Sequence, residues 1–225
     1  MPIDVPSAEV LDARQLSRIE ATHRGFLYQH LFAVGCLLKG APAGTQTVIV
    51  ERDEDLELIA GDRYIYAQIK TRSGTLYESD LDSFFERAKE LREAHANGGR
   101  QGTSEIWLIT NALISSGLAA RLAAESIGLW SPQSVSRDEP LFPPPDADVG
   151  VNLAWCVEAA SAIALTRLSP ETLVWKLAAV VAYRSAGLDG GHAIQTSGLS
   201  DLFEQFAAQL HHFPESGGHF LAGSY

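Results

Sequence analysis

The chain has 225 residues, is 46% hydrophobic and carries a formal net charge of −11. That length allows one large domain or two small ones with ample material for a core, and no apolar run reaches the roughly 18 residues of a membrane span. Residues 1–115 hold 12 Lys/Arg against 17 Asp/Glu, and residues 116–225 hold 5 against 11. Neither half has the basic footprint of a simple high-affinity nucleic-acid binder. An isolated copy would bind DNA weakly. The opening MPIDVPSAEV is acidic and polar and does not read as a signal peptide. Cys36 and Cys156 each stand alone in apolar stretches. They read as buried thiols of a reducing compartment, which points to a cytoplasmic chain.

In chain order, residues 7–39 have helical periodicity, with Phe26, Leu27, Leu31, Val34, Leu37 and Leu38 near i, i+3/i+4, i+7 spacing. Gln29 falls among these apolar positions, as either a satisfied core polar group or part of a site. Gly40-Ala41-Pro42 ends the helix. The β-branched run 46–51 predicts a strand, and 55–60 and 63–71 predict two more, joined through Gly61-Asp62 as an antiparallel hairpin. Ser79 caps a predicted helix over 80–96, which Asn97-Gly98-Gly99 stops. Residues 105–110 (EIWLIT) read as a strand buried on both faces. Ser115 or Ser116 opens another helix to about Ser126. Residues 128–150, with the run FPPPD, read as a proline-bearing loop or linker, and 151–157 as one more strand. Ser169-Pro170-Glu171 begins a helix to about Ala186, and Ser200 caps a last one to about His211. His211, His212 and His219 lie in a tail of unconstrained spacing and do not read as a metal cluster.

The stretch 47–72, TVIVERDEDLELIAGDRYIYAQIKTR, concentrates the chemistry. Strand alternation places Asp55 and Glu57 on one face of their strand, and Gln68 and Lys70 on one face of the next. Side by side, these four would meet on the same side of a sheet. Five acids occupy the seven positions 51–57, which costs repulsion unless a cation sits among them. Two carboxylates, an amide oxygen and a lysine suit a divalent metal and a water nucleophile. Asp55 and Glu57 would supply carboxylates and Gln68 a carbonyl oxygen, with the Ile69 carbonyl a further donor. Lys70 would orient the water or stabilise the transition state. The bland alternative is a solvated acidic hairpin with a cross-strand ion pair. Against it, Gln68 and Lys70 lie in a strand whose other members, Ile65, Ala67 and Ile69, are apolar.

Asp55, twelve residues, then Gln68-Ile69-Lys70 resembles the PD-(D/E)xK nuclease signature in its Gln-x-Lys form. The element order α-β-β-β-α-β resembles that superfamily's core. Gly25-Phe26-Leu27-Tyr28-Gln29, Glu54-Asp55-Leu56-Glu57 and Gln68-Ile69-Lys70-Thr71, in that order, resemble the dsDNA-nuclease effector domains of bacterial antiphage systems. The resemblance covers about residues 20–111. It implies a restriction-endonuclease-like α/β fold, with a mixed central sheet flanked by helices and a mainly helical C-terminal extension. It implies Asp55 as metal ligand, Gln68 in place of the usual acid, Lys70 as the catalytic lysine, and Gln29 reaching the same site. Glu57, on the face of Asp55, is the second-choice ligand and Glu51 the third. The implied cofactor is Mg2+, with Mn2+ able to substitute. The implied function is metal-dependent cleavage of double-stranded DNA in antiphage defence. Activation would come through assembly as a homo-oligomer, or through a sensor or NTPase module in the same chain or complex. The alternatives are a non-catalytic interaction module and a nuclease acting on RNA or single strands. The expected division is a nuclease core over 1–127 and a helical extension over 128–225 packed on it.

Overall fold

The computed structural model describes residues 12–133, 141–146, 148–163, 168–188 and 190–209. The chain begins with α1 (Ala13–Gly40), capped by the Asp12 carboxylate, which accepts the Arg14 and Gln15 backbone N–H groups at 3.0 Å. Three strands follow, β1 (Thr47–Val50), β2 (Leu56–Ala60) and β3 (Arg63–Lys70). Next come α2 (Asp82–Ala96), β4 (Thr103–Thr110), α3 (Ser116–Ala124) and β5 (Gly128–Trp130). The last part contains α4 (Val149–Ser161), α5 (Pro170–Ser185), β6 (Ala193–Gln195) and α6 (Leu199–Gln209).

The six strands form one mixed sheet in the order β5-β4-β3-β2-β1-β6. β1, β2, β3 and β6 pair antiparallel, whereas β3, β4 and β5 run parallel. Gly61, at φ 66°, makes the tight β2–β3 turn, a conformation that favours glycine. The hairpin register sets Leu56 opposite Ala67 and Glu57 opposite Tyr66. β3 and β4 are joined through α2, the crossover that a parallel pair requires.

Alternation along β3 divides the core into two layers. Ile65, Ala67 and Ile69 point to one face, where they join Leu31, Phe32 and Leu37 of α1 with α4, α5 and α6. Tyr66 points to the other, where Phe84, Phe85 and Leu91 of α2 pack with Leu118 and Leu122 of α3. The result is a sheet sandwiched between helical layers.

Several expectations need correction. Residues 151–157 are helical, inside α4. The run VNLAWCV has no period-2 alternation, and Asp148 caps it as a helix by accepting the Gly150 N–H at 2.7 Å. Ser79 does not cap α2. It sits in a 3-10 turn over Glu78–Asp80, whose Asp80 carboxylate accepts the Tyr77 N–H at 2.9 Å, and α2 starts after Leu81. The stretch 128–150 contributes β5, and the Trp130 indole donates to the Pro143 carbonyl at 2.7 Å. Three residues carry too little periodicity to read as a strand. Ser115 and Ser169 cap α3 and α5 as expected. His211, His212 and His219 lie outside the described residues.

The extension is woven into the sheet: β5 adds one edge strand and β6 the other, while α4 and α5 pack on α1. Among the described residues, no helix is long and apolar enough to cross a membrane.

Candidate functional site

Strand directions bring the chemistry to one edge of the sheet. β3 and β4 run parallel and both end there, antiparallel β2 begins there, and β1 ends there. The acidic stretch 51–55 links β1 to β2, so it faces the end of β3, where Gln68 and Lys70 stand.

Asp55 is the centre of this edge. Its Oδ2 accepts the Ile69 backbone N–H at 2.8 Å and a short hydrogen bond from the Gln68 side-chain amide. Gln29, four turns into α1, approaches the same carboxylate and favours its charged form. Burial raises the Asp55 carboxyl above the ordinary carboxylate range, and the Ile69 N–H, Lys70 and the two glutamines only partly offset this. The Gln68 amide nitrogen, not its oxygen, therefore faces Asp55. A cation held by both would need that amide turned over, because only the carbonyl oxygen is a ligand.

Glu51 shares the edge. Its φ of 50° is left-handed for a non-glycine residue, and its N–H donates to the Asp55 carbonyl at 3.2 Å, closing the 51–55 turn. Such strain persists where surrounding structure enforces it. Burial raises the Glu51 carboxyl, and the Asp55 charge adds to the shift. His192 also faces Glu51, and its Nδ1–H donates to the Val50 carbonyl at 2.9 Å. A carbonyl can only accept, which fixes that tautomer.

Glu57 is placed differently. It is 2% exposed and engaged by both Nε and Nη2 of Arg52, and its Oε1 accepts the Asp53 N–H at 2.9 Å. Asp53 in turn receives Arg100 at 2.7 Å, and Arg100 donates to the Tyr66 hydroxyl at 2.8 Å. The Tyr66 hydroxyl donates to His95 Nε2 at 2.9 Å, because His95 Nδ1 must donate to the Gly102 carbonyl. Glu57 thus anchors a chain of polar contacts that fastens the acidic turn to β3 and β4. The structure brings Asp55, Gln68, Gln29, Lys70 and Glu51 together and engages Glu57 with Arg52.

Glu54 was not singled out by sequence as a site residue. It is only 8% exposed and lines a cleft of about 290 Å³ with Asp55, Gln68, Ser83, Phe84 and Arg87. Among the described residues, no hydrogen bond or salt bridge satisfies it. Burial, with Asp55 adding to it, pushes its carboxyl up to about 8. The density of acids in 51–57 was the signal; burial of one of them in the cleft could not be read from it. His192 and the strained Glu51 backbone likewise left no local mark.

Three adjacent carboxyls with raised affinity for protons form a site short of positive charge. Among the described residues, however, no three His, Cys, Asp or Glu side chains converge as a ready-made metal cage. Comparison with protein-family models, curated proteins and solved structures gives no match for this chain.

Proposed function

We propose that the chain is a metal-dependent endonuclease of double-stranded DNA with a restriction-endonuclease-like core, acting in the cytoplasm as an antiphage effector activated by assembly. The observation that carries this reading is the cluster of Asp55, Gln68, Lys70 and Gln29 at the edge where β2 and β3 meet. Phosphodiester hydrolysis calls for an acid to hold a metal and a cation beside the phosphate, which Asp55 and Lys70 would supply. The donor chemistry suits Mg2+, a hard cation that takes oxygen ligands. Asp55 and Glu51 would hold it, with Gln68 once its amide is reversed; Mn2+ would substitute. When bound, the ion would offset phosphate charge and activate water. This chain's own residues bind and orient: the Ile69 N–H holds the Asp55 carboxylate in place, Gln29 favours its charged form from α1, and Lys70 would present its ammonium to the reacting phosphate. Assembly into a homo-oligomer, or with a sensor or NTPase module, fits a chain whose net charge of −11 opposes DNA binding by single copies.

A non-catalytic interaction module on the same fold is the second reading, favoured by the absence of a ready-made acidic cage among the described residues. Degradation of plasmid with Mg2+, absent with chelator, separates the two.

A further inference from the structure

A polyanion approaching a chain of net charge −11 needs a local basic surface beside the acidic turn. α1 supplies one. Residues 12–24 are all exposed, so the first turns of α1 lie outside the core. Between residues 13 and 26 stand Arg14, Arg18 and Arg24 against one acid, Glu20. The placement of Arg14 and Arg18 follows from the buried half of the helix, whereas Arg24 lines an adjoining cleft. Phe32 is buried in the core, and a Cβ on Gly25 would lie 3.9 Å from Thr71 Oγ1. Counting back at i−4, i−7 and i−11 from Gly25 gives Ala21, Arg18 and Arg14, which lie on this same inward face. The stripe that packs on the sheet therefore continues outside the core as arginine.

That cleft, of about 410 Å³, is lined by Arg24, Tyr28, Thr71, Arg72, Ser73 and Asn111. Thr71 follows Lys70 directly, so the cleft adjoins the lysine. Asn111 accepts the Arg72 N–H through its oxygen at 2.9 Å, which leaves its amide N–H groups as donors. Arg72 also pairs with Asp80 at 2.8 Å. Arg14, Arg18 and Arg24 form no salt bridge with the described residues. Positions 14 to 24 span about 15 Å of helix axis, close to four base-pair steps of a duplex.

We propose that the exposed arm of α1, through Arg14, Arg18 and Arg24, together with the Arg72/Asn111 cleft, is the surface that holds the phosphate backbone of duplex DNA and delivers it to Lys70. This rests on the nuclease reading above. Contacts of this type position the duplex without reading its sequence, so binding is salt-dependent and indifferent to base composition.

The test is fluorescence anisotropy of a labelled 30-base-pair duplex with the full chain in chelator, titrated across salt concentrations. The variants are Arg14→Glu/Arg18→Glu/Arg24→Glu and, as a charge control at an exposed position of α2, Lys89→Glu. Circular dichroism checks that each folds, and Arg14→Gln/Arg18→Gln/Arg24→Gln serves if the reversal does not. The arginine variant should lose at least tenfold in affinity at about 100 mM salt, and its log–log salt slope should fall by about 2–3. Lys89→Glu should stay near wild type. Equal loss in Lys89→Glu, an unchanged slope in the arginine variant, or no duplex binding by the wild type overturns the proposal. Equal binding of single strands or duplex RNA through the same arginines overturns its assignment to duplex DNA. Arginine-dependent binding without cleavage at any concentration would leave this surface standing and remove the nuclease reading. Cleavage and binding untouched by the arginine changes would do the reverse.

Discussion

The Ile69 backbone N–H donates to the Asp55 carboxylate at 2.8 Å. Ile69 lies between Gln68 and Lys70, so this one bond fixes the start of β2 against the two polar side chains at the end of β3. The acid is thereby tied to the strand that carries the other functional groups. Gln29 approaches the same carboxylate from α1, so three elements share one anchor.

Glu51 and Glu57 should separate cleanly on mutation. Glu57 is buried against Arg52 and the Asp53 N–H. Glu57→Ala removes the acceptor of the Asp53 N–H and leaves the half-exposed Arg52 with Asp53 alone, and should cost about 1–2 kcal/mol in urea denaturation. That loss should be the same with and without Mg2+. Glu51→Gln should change metal-free stability by less than about 1 kcal/mol, and weaken Mg2+ binding by calorimetry. The opposite pattern would make Glu57 the ligand.

Stability without metal should fall as pH rises through Glu54. Its folded carboxyl titrates at about 8, above the usual value of 4.5. The folded state therefore holds the proton more tightly than the unfolded one. That contribution is complete below 4.5, declines as pH rises and is gone above 8. In chelator, Glu54→Gln should remove much of this slope and stabilise the chain at pH 8 by on the order of 2 kcal/mol. Denaturation midpoints at pH 5 and pH 8 provide the check; a wild-type chain equally stable at both contradicts it.

The 1–127 segment should not fold alone. It would lose β5 and β6 from the two sheet edges, and α4, α5 and α6 from the core face of α1. Two unpaired strand edges and an uncovered apolar face make a fragment prone to aggregation. A fragment with a cooperative melt near that of the whole chain would show instead that the extension is dispensable.

Much of the first half was legible because its signals are local. A β-branched run marked β1, Gly61-Asp62 marked the β2–β3 hairpin, and Ser115 and Ser169 marked their helices. Alternation put Asp55 near Gln68 and Lys70, as the backbone register requires. The same alternation grouped Glu57 with them, because spacing cannot tell that Arg52 and the Asp53 N–H engage it. β5 and β6 went unseen because three-residue edge strands acquire their structure from the partner strand. Glu54 stayed hidden because burial of one acid among five depends on α2, which is distant in sequence.

The most direct test of the central claim is plasmid degradation with Mg2+, wild type against Lys70→Ala, across a range of protein concentrations. The wild type should degrade plasmid, with a rate that rises more steeply than linearly with concentration as copies assemble. Lys70→Ala should fall by about a hundredfold or more while keeping its circular dichroism spectrum and melting temperature. Equal degradation by the two proteins, or none by the wild type at any concentration, would contradict the account.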